Sequence, residues 1–167
     1  MLGGNVKIVM LDENSFFIYL NRDYISEINF EEKYELEAYF KVLFSKLKTY
    51  YDIEMCGYYH IKCYIDSYYG IILYVQKEDV EYFDYLDNQV DMRMILEEEQ
   101  CFLYRIFDYF DFPAAFKKKG DIYQYKKGLY YKLNEKLDSI SFGKLLEYSE
   151  IVFENTLPIL KYGKKVS

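Results

Sequence analysis

Apolar and polar residues alternate in short runs along much of this chain, separated by turn-forming clusters. Lys7–Leu11 and Ser15–Leu20 read as strands joined by the turn-rich Asp12-Glu13-Asn14. The period then changes. Leu36, Phe40, Leu43, Phe44 and Leu47 recur at helical spacing with no proline or glycine between them, so 31–50 reads as one amphipathic helix. Asn29 is placed to cap it, with Glu31 and Glu32 suited to the positive end of its dipole. Two-residue alternation returns over 55–65. Met55, Gly57, Tyr59, Ile61, Cys63 and Ile65 fall on one face; Cys56, Tyr58, His60, Lys62 and Tyr64 fall on the other. Gly70–Gln76 is a further apolar strand, and the link Asp66-Ser67-Tyr68-Tyr69 predicts a hairpin.

The second half repeats this alternation less regularly. Gln89–Leu96 and Cys101–Phe107 read as strands around the charged Glu97-Glu98-Glu99 turn. Asp108–Lys119 opens with acidic residues and ends in three lysines, which fits a short helix with Pro113 in its first turn. Ile122–Tyr125 and Leu129–Leu133 predict a hairpin around Lys126-Lys127-Gly128, with the glycine taking positive φ. Ser141–Asn155 reads as a helix, and Pro158 precedes a last apolar stretch, Leu160–Val166.

These elements predict an α+β protein of two related halves, each a small antiparallel sheet of ββαββ type with one or two helices. Residues 1–76 form the first half, 77–88 a short acidic connector and 89–167 the second half. A length of 167 residues accommodates one domain or two small ones.

Charge sharpens the division. Residues 1–100 carry 9 basic and 20 acidic side chains, a net −11; residues 101–167 carry 12 basic and 8 acidic, a net +4. The acidic half argues against nucleic-acid binding by the chain as a whole, because phosphate contact needs a cationic footprint. The patch Lys117-Lys118-Lys119 and Lys126-Lys127, set among Phe116, Tyr123, Tyr125 and Tyr130, has the composition of a single-strand surface but contains no arginine. The 22 tyrosines, with no tryptophan, fit both a compositional bias and contact surfaces, since tyrosine combines a large apolar ring with a polar tip.

Candidate chemistry is sparse. Three cysteines match no disulfide scaffold, and residues 1–10 have neither a cationic start nor a long apolar run, so the expectation is a reducing cytoplasm and no membrane span. Cys56 and His60 point to one strand face and Cys63 to the other, with no second cluster to complete a zinc site, so no metal and no cofactor are expected. His60 is the only imidazole and would have to serve any histidine-based catalysis; no nucleophile elbow, phosphate loop or dinucleotide motif accompanies it. The chain therefore reads as a protein without catalytic residues, acting through its surfaces.

Three stretches indicate which surfaces. Arg105-Ile106-Phe107-Asp108-Tyr109-Phe110-Asp111 resembles the Arg-Phe-Gly-Asp-Phe-Glu-Asp segment of MecA-type adaptor proteins. Ile122–Tyr125 with Leu129–Tyr131 resembles that family's tyrosine-rich hairpin. Leu145-Leu146-Glu147-Tyr148 followed by Tyr162-Gly163-Lys164 resembles its Leu-Leu-Glu-Tyr and Tyr-Gly-Lys pair. The resemblance covers roughly residues 88–166, and residues 5–76 only in outline. The sequence departs from the family in its short connector, in Phe107 where the family has glycine, and in Phe112-Pro113.

The resemblance implies a non-enzymatic adaptor joining a protein client, held by the first half, to a Clp/Hsp100 ATPase docked on the second, at raised effective concentration. It makes Asp108, Asp111, Tyr123, Tyr125 and Glu147 the contact candidates. The alternatives are a stand-alone interaction module, as a homodimer through a tyrosine-rich sheet face, and a small enzyme using His60.

Overall fold

The computed structural model describes residues 6–21, 33–52, 57–78, 90–97 and 101–166. These residues form two compact units. The first takes 6–65 and 70–97; the second takes 101–166 together with Asp66–Tyr69. The expected cap at Asn29, the glutamates Glu31 and Glu32, Met55, Cys56 and most of the acidic connector 77–88 lie outside the described residues.

In the first unit, β1 (Val6–Met10) and β2 (Ser15–Asn21) form a hairpin, α1 (Lys33–Tyr51) follows, and β3 (Gly57–Asp66), β4 (Gly70–Lys77) and β5 (Val90–Glu97) complete a sheet of order β1-β2-β4-β3-β5. The alternation decides which face is buried. Phe16, Ile18 and Leu20 of β2 lie opposite Val75, Leu73 and Ile71 of β4, and all six are core residues. Tyr59, Ile61 and Cys63 of β3 join them, while Leu36, Phe40, Leu43, Phe44 and Leu47 of α1 close the cluster. The helical stripe is thus the one the spacing predicts. Asp52, at φ 55°, takes the left-handed conformation that ends α1.

β5 departs from expectation twice. Its sequence, assigned to the second half, is paired with β3 in the first unit, from Gly57↔Val90 to Tyr64↔Glu97, and the pairing is parallel.

The second unit contains β6 (Leu103–Ile106), a 3₁₀ helix (Ala114–Lys118), β7 (Gly120–Tyr125), β8 (Gly128–Leu133), α2 (Ser139–Tyr148), β9 (Ser149–Val152), α3 (Leu157–Tyr162) and β10 (Lys164–Lys165). Its sheet runs β9-β6-β8-β7-β10 and every pair is antiparallel. β6 and β7 are therefore parallel around β8, as are β8 and β9 around β6. This is the split β-α-β arrangement of ferredoxin-like sheets, with β10 added at one edge.

The two units share a central motif. A strand leads through a helix to a second strand and then a third, and the third lies between the other two: β2-α1-β3-β4 in the first unit, β6-3₁₀-β7-β8 in the second. The flanking strands differ. β5 is parallel to β3, whereas β10 is antiparallel to β7.

Three further expectations are corrected. Asp108–Lys119 is not an α-helix: Asp108–Phe112 is a turn, and Pro113 stands just before a single 3₁₀ turn. The helix expected over 141–155 ends at Tyr148, because 149–152 pairs as an edge strand with β6. Positive φ in the β7–β8 turn belongs to Lys126 (52°), not to Gly128. A β-carbon on Gly128 would lie 2.9 Å from the Tyr130 ring, so the glycine makes room for that ring. The final apolar stretch, Leu160–Val166, takes in the end of α3 and the two-residue β10.

Candidate partner-binding surface

The segment after β6 combines tight local structure with large exposed rings. Asp108 Oδ1 accepts the Phe110 N–H at 2.9 Å. The Asp108 carbonyl accepts from Asp111 N at 3.2 Å, and the Tyr109 carbonyl from Phe112 N at 3.3 Å. Phe112 anchors the turn in the core, with ring centroids 5.3 Å from Tyr131 and 5.5 Å from Phe116. On this fixed base Phe110 is 94% exposed and Phe107 64% exposed. Tyr109 packs edge-on to Phe110, and Lys117 Nζ stands 4.6 Å over the Tyr109 ring. Asp108 and Asp111 are both exposed. Phe107 and Phe110 are thus solvent-facing rings beside carboxylates and take no part in the core.

Phe107 N donates to the Tyr148 carbonyl at 3.1 Å, bringing the backbone next to Asp108 alongside the last turn of α2, where Glu147 is exposed. Asp108 and Glu147, distant in sequence, thus sit beside one hydrogen-bonded pair. Tyr123 and Tyr125 do not join them. They lie on β7, on the sheet face opposite the 3₁₀ helix and α2, and Arg105 of β6 lies on that face too.

The motif residues divide by role. Leu145 is fully buried, Tyr148 half-buried, and Leu146 sits at the edge of exposure. Gly163 N donates to the Ile159 carbonyl at 2.8 Å, and a β-carbon there would lie 2.3 Å from that oxygen, so glycine is required by the close approach. Lys164 pairs with Gln124 in the β10–β7 ladder. Tyr162 is 69% exposed, with Lys161 Nζ 5.2 Å over its ring. Leu145 and Gly163 therefore serve the fold, while Arg105, Leu146, Glu147, Tyr162 and Lys164 are exposed. Sequence reasoning missed Phe110 itself; the signal available was two phenylalanines in a segment with no alternation to bury them.

His60 Nε2 lies 3.0 Å from Glu78 Oε2 in an exposed pair. Burial pushes the Cys63 thiol up to about 12 and raises Cys101 as well. Among the described residues no group of three or more His, Cys, Asp or Glu could hold a metal ion, and no helix is long and apolar enough to cross a membrane.

Fold and surface together define an α+β protein of two units whose second unit displays an ordered aromatic loop. No family model, curated protein or solved structure matches the chain.

Proposed function

We propose that this chain is a non-enzymatic adaptor. Its second unit docks on a Clp/Hsp100 ATPase through the Phe107–Phe112 turn and Glu147, and its first unit holds a protein client. The observation that carries the reading is Phe110, almost wholly exposed on a turn fixed by three hydrogen bonds and a buried Phe112. A ring displayed on a turn whose backbone is already held binds at a smaller ordering cost, and exposed aromatic rings are typical interface anchors. The choice of a Clp/Hsp100 partner rests on the Arg105–Asp111, Leu145–Tyr148 and Tyr162–Lys164 resemblance.

The test is titration of a purified Clp/Hsp100 ATPase with the full chain, followed by fluorescence anisotropy. Binding that weakens about thirtyfold with Phe110→Ala, the scale of a 2 kcal/mol anchor, supports the reading. Absence of binding at low salt and high micromolar protein removes it. A tight homodimer that loses stability with Phe110→Ala would instead establish the stand-alone module.

A further inference from the structure

One row of side chains crosses all five strands of the second sheet. Lys165 lies opposite Tyr123, Tyr123 opposite Tyr130, Tyr130 opposite Arg105, and Arg105 opposite Glu150. The adjacent row, Ile122–Tyr131–Tyr104–Ile151, faces the other way, where Tyr131 meets Phe116 and Tyr104 meets Phe142. Successive residues of a strand point to opposite faces, so the first row lies on the face away from these helices. Arg105 and Lys165 are more than half exposed there.

Two features make this row more than a solvated face. The first is the seat at Gly128. The far edge of the Tyr130 ring reaches back beside that glycine, 2.9 Å from where a β-carbon would stand, and the side chain is half-buried. The second is the charge. On the described strands this face carries two acidic groups, and each is already tied to a cation: Asp121 to Lys165 at 3.3 Å and Glu150 to Arg105 at 3.9 Å. Lys132, two positions from Tyr130, adds a further cation. The excess negative charge of the chain lies in residues 1–100, and residues 101–167 carry a net +4.

We propose that this sheet face binds single-stranded nucleic acid, with bases stacked on Tyr130 and Tyr123 and phosphates held by Lys132 and, in exchange for Glu150 and Asp121, by Arg105 and Lys165. Adjacent aromatic residues on an antiparallel sheet, flanked by cations, suit splayed-out bases, whereas a duplex keeps its ring faces stacked. An acidic peptide would use the cations and have no use for the rings. The inference is independent of the adaptor reading, which uses Phe110 and the α2 end.

The experiment is fluorescence anisotropy of a labelled twelve-residue oligouridylate with the full chain at 50 mM salt. Expected are micromolar binding and a log–log salt slope of about −2, the release expected from about three phosphate contacts on a single strand. Tyr130→Leu should weaken binding about tenfold or more, the effect of losing one stacked base, while Tyr130→Phe retains it. Arg105→Gln should reduce the slope by a little under 1. Circular dichroism melts establish that each variant is folded. Should Tyr130→Leu fail to fold, Tyr123→Leu and Arg105→Gln carry the same comparison. The proposal is overturned by no binding up to about 100 µM protein, the weak end of ordinary non-specific association. It is equally overturned if duplex DNA or polyglutamate competes as well as the oligonucleotide, or if binding is indifferent to the tyrosine rings.

Discussion

Tyr131 Oη donates to the carbonyl of Phe116 at 2.6 Å, inside the core of the second unit. The bond ties β8 to the middle of the 3₁₀ helix, and the Phe112 and Phe116 rings both pack on the Tyr131 ring. On the neighbouring strand, Tyr104 is equally buried, yet its hydroxyl has no hydrogen-bond partner among the described residues. The pair separates ring burial from hydroxyl bonding. Tyr131→Phe should cost about 1–3 kcal/mol, because it leaves a buried carbonyl unpaired, whereas Tyr104→Phe should be nearly neutral or stabilising. Urea midpoints of the two variants check this, and an equal loss in both would refute it.

The Tyr162-Gly163-Lys164 motif is predicted to split. Gly163→Ala forces a β-carbon against the Ile159 carbonyl and should destabilise by about 1–3 kcal/mol, as overpacking does. Tyr162→Ala, at an exposed position, should change stability by no more than about 0.5 kcal/mol. Thermal melts of the two variants provide the comparison.

Acid should loosen the second unit by a known route. Asp138 caps α2 by accepting the Ser141 N–H at 2.7 Å, and that bond holds its carboxyl below the ordinary range. Asn134 and Lys165 lower Asp121 in the same direction. A carboxyl depressed in the folded state stabilises fully above its unfolded pKa, about 3.9, and loses that contribution as pH falls through the folded value. Stability should therefore drop below about pH 4. Asp138→Asn keeps a capping oxygen, so it should retain the helix at pH 7 and flatten the acid dependence; Asp138→Ala should lower stability at pH 7 as well. Urea midpoints at pH 7 and pH 3 distinguish the three proteins.

Cys63 should resist alkylation. With burial raising its pKa to about 12, its thiolate fraction at pH 8 is about one in ten thousand, against about a quarter for an ordinary thiol. Iodoacetamide at pH 8, read by peptide mass spectrometry, should leave Cys63 unmodified until denaturant is added. Rapid native labelling would contradict the buried placement.

Much of the first unit was legible because its periods are long and uninterrupted. Nineteen residues of α1 carry a single apolar stripe, and the first seven residues of β3 bury alternate positions. The short elements were not. Ser149–Val152 continues a helical pattern from α2 but forms a strand, since the edge of β6 offers backbone partners from Ile106↔Ser149 to Leu103↔Val152. Asp108–Lys119 has the charge order of a helix, yet the Asp108 side chain takes the Phe110 N–H and Phe112 turns into the core. Such competition between a local side-chain bond and a helical one leaves little trace in composition. Of the contact candidates, Asp108 and Glu147 are joined through Phe107 and Tyr148, and Tyr123 and Tyr125 lie on another face.

The sequence by itself determined which side chains of α1 and of the first part of β3 turn inward, because burial on one face imposes a period of two on a strand and 3.6 on a helix. Tertiary structure alone decided that β5 lies parallel to β3, that 149–152 leaves α2 for the sheet, and that Lys165, Tyr123, Tyr130, Arg105 and Glu150 share a row. Strand partnership and register are set by contacts between residues tens of positions apart, and a local pattern records only that a face is buried, not what lies beside it.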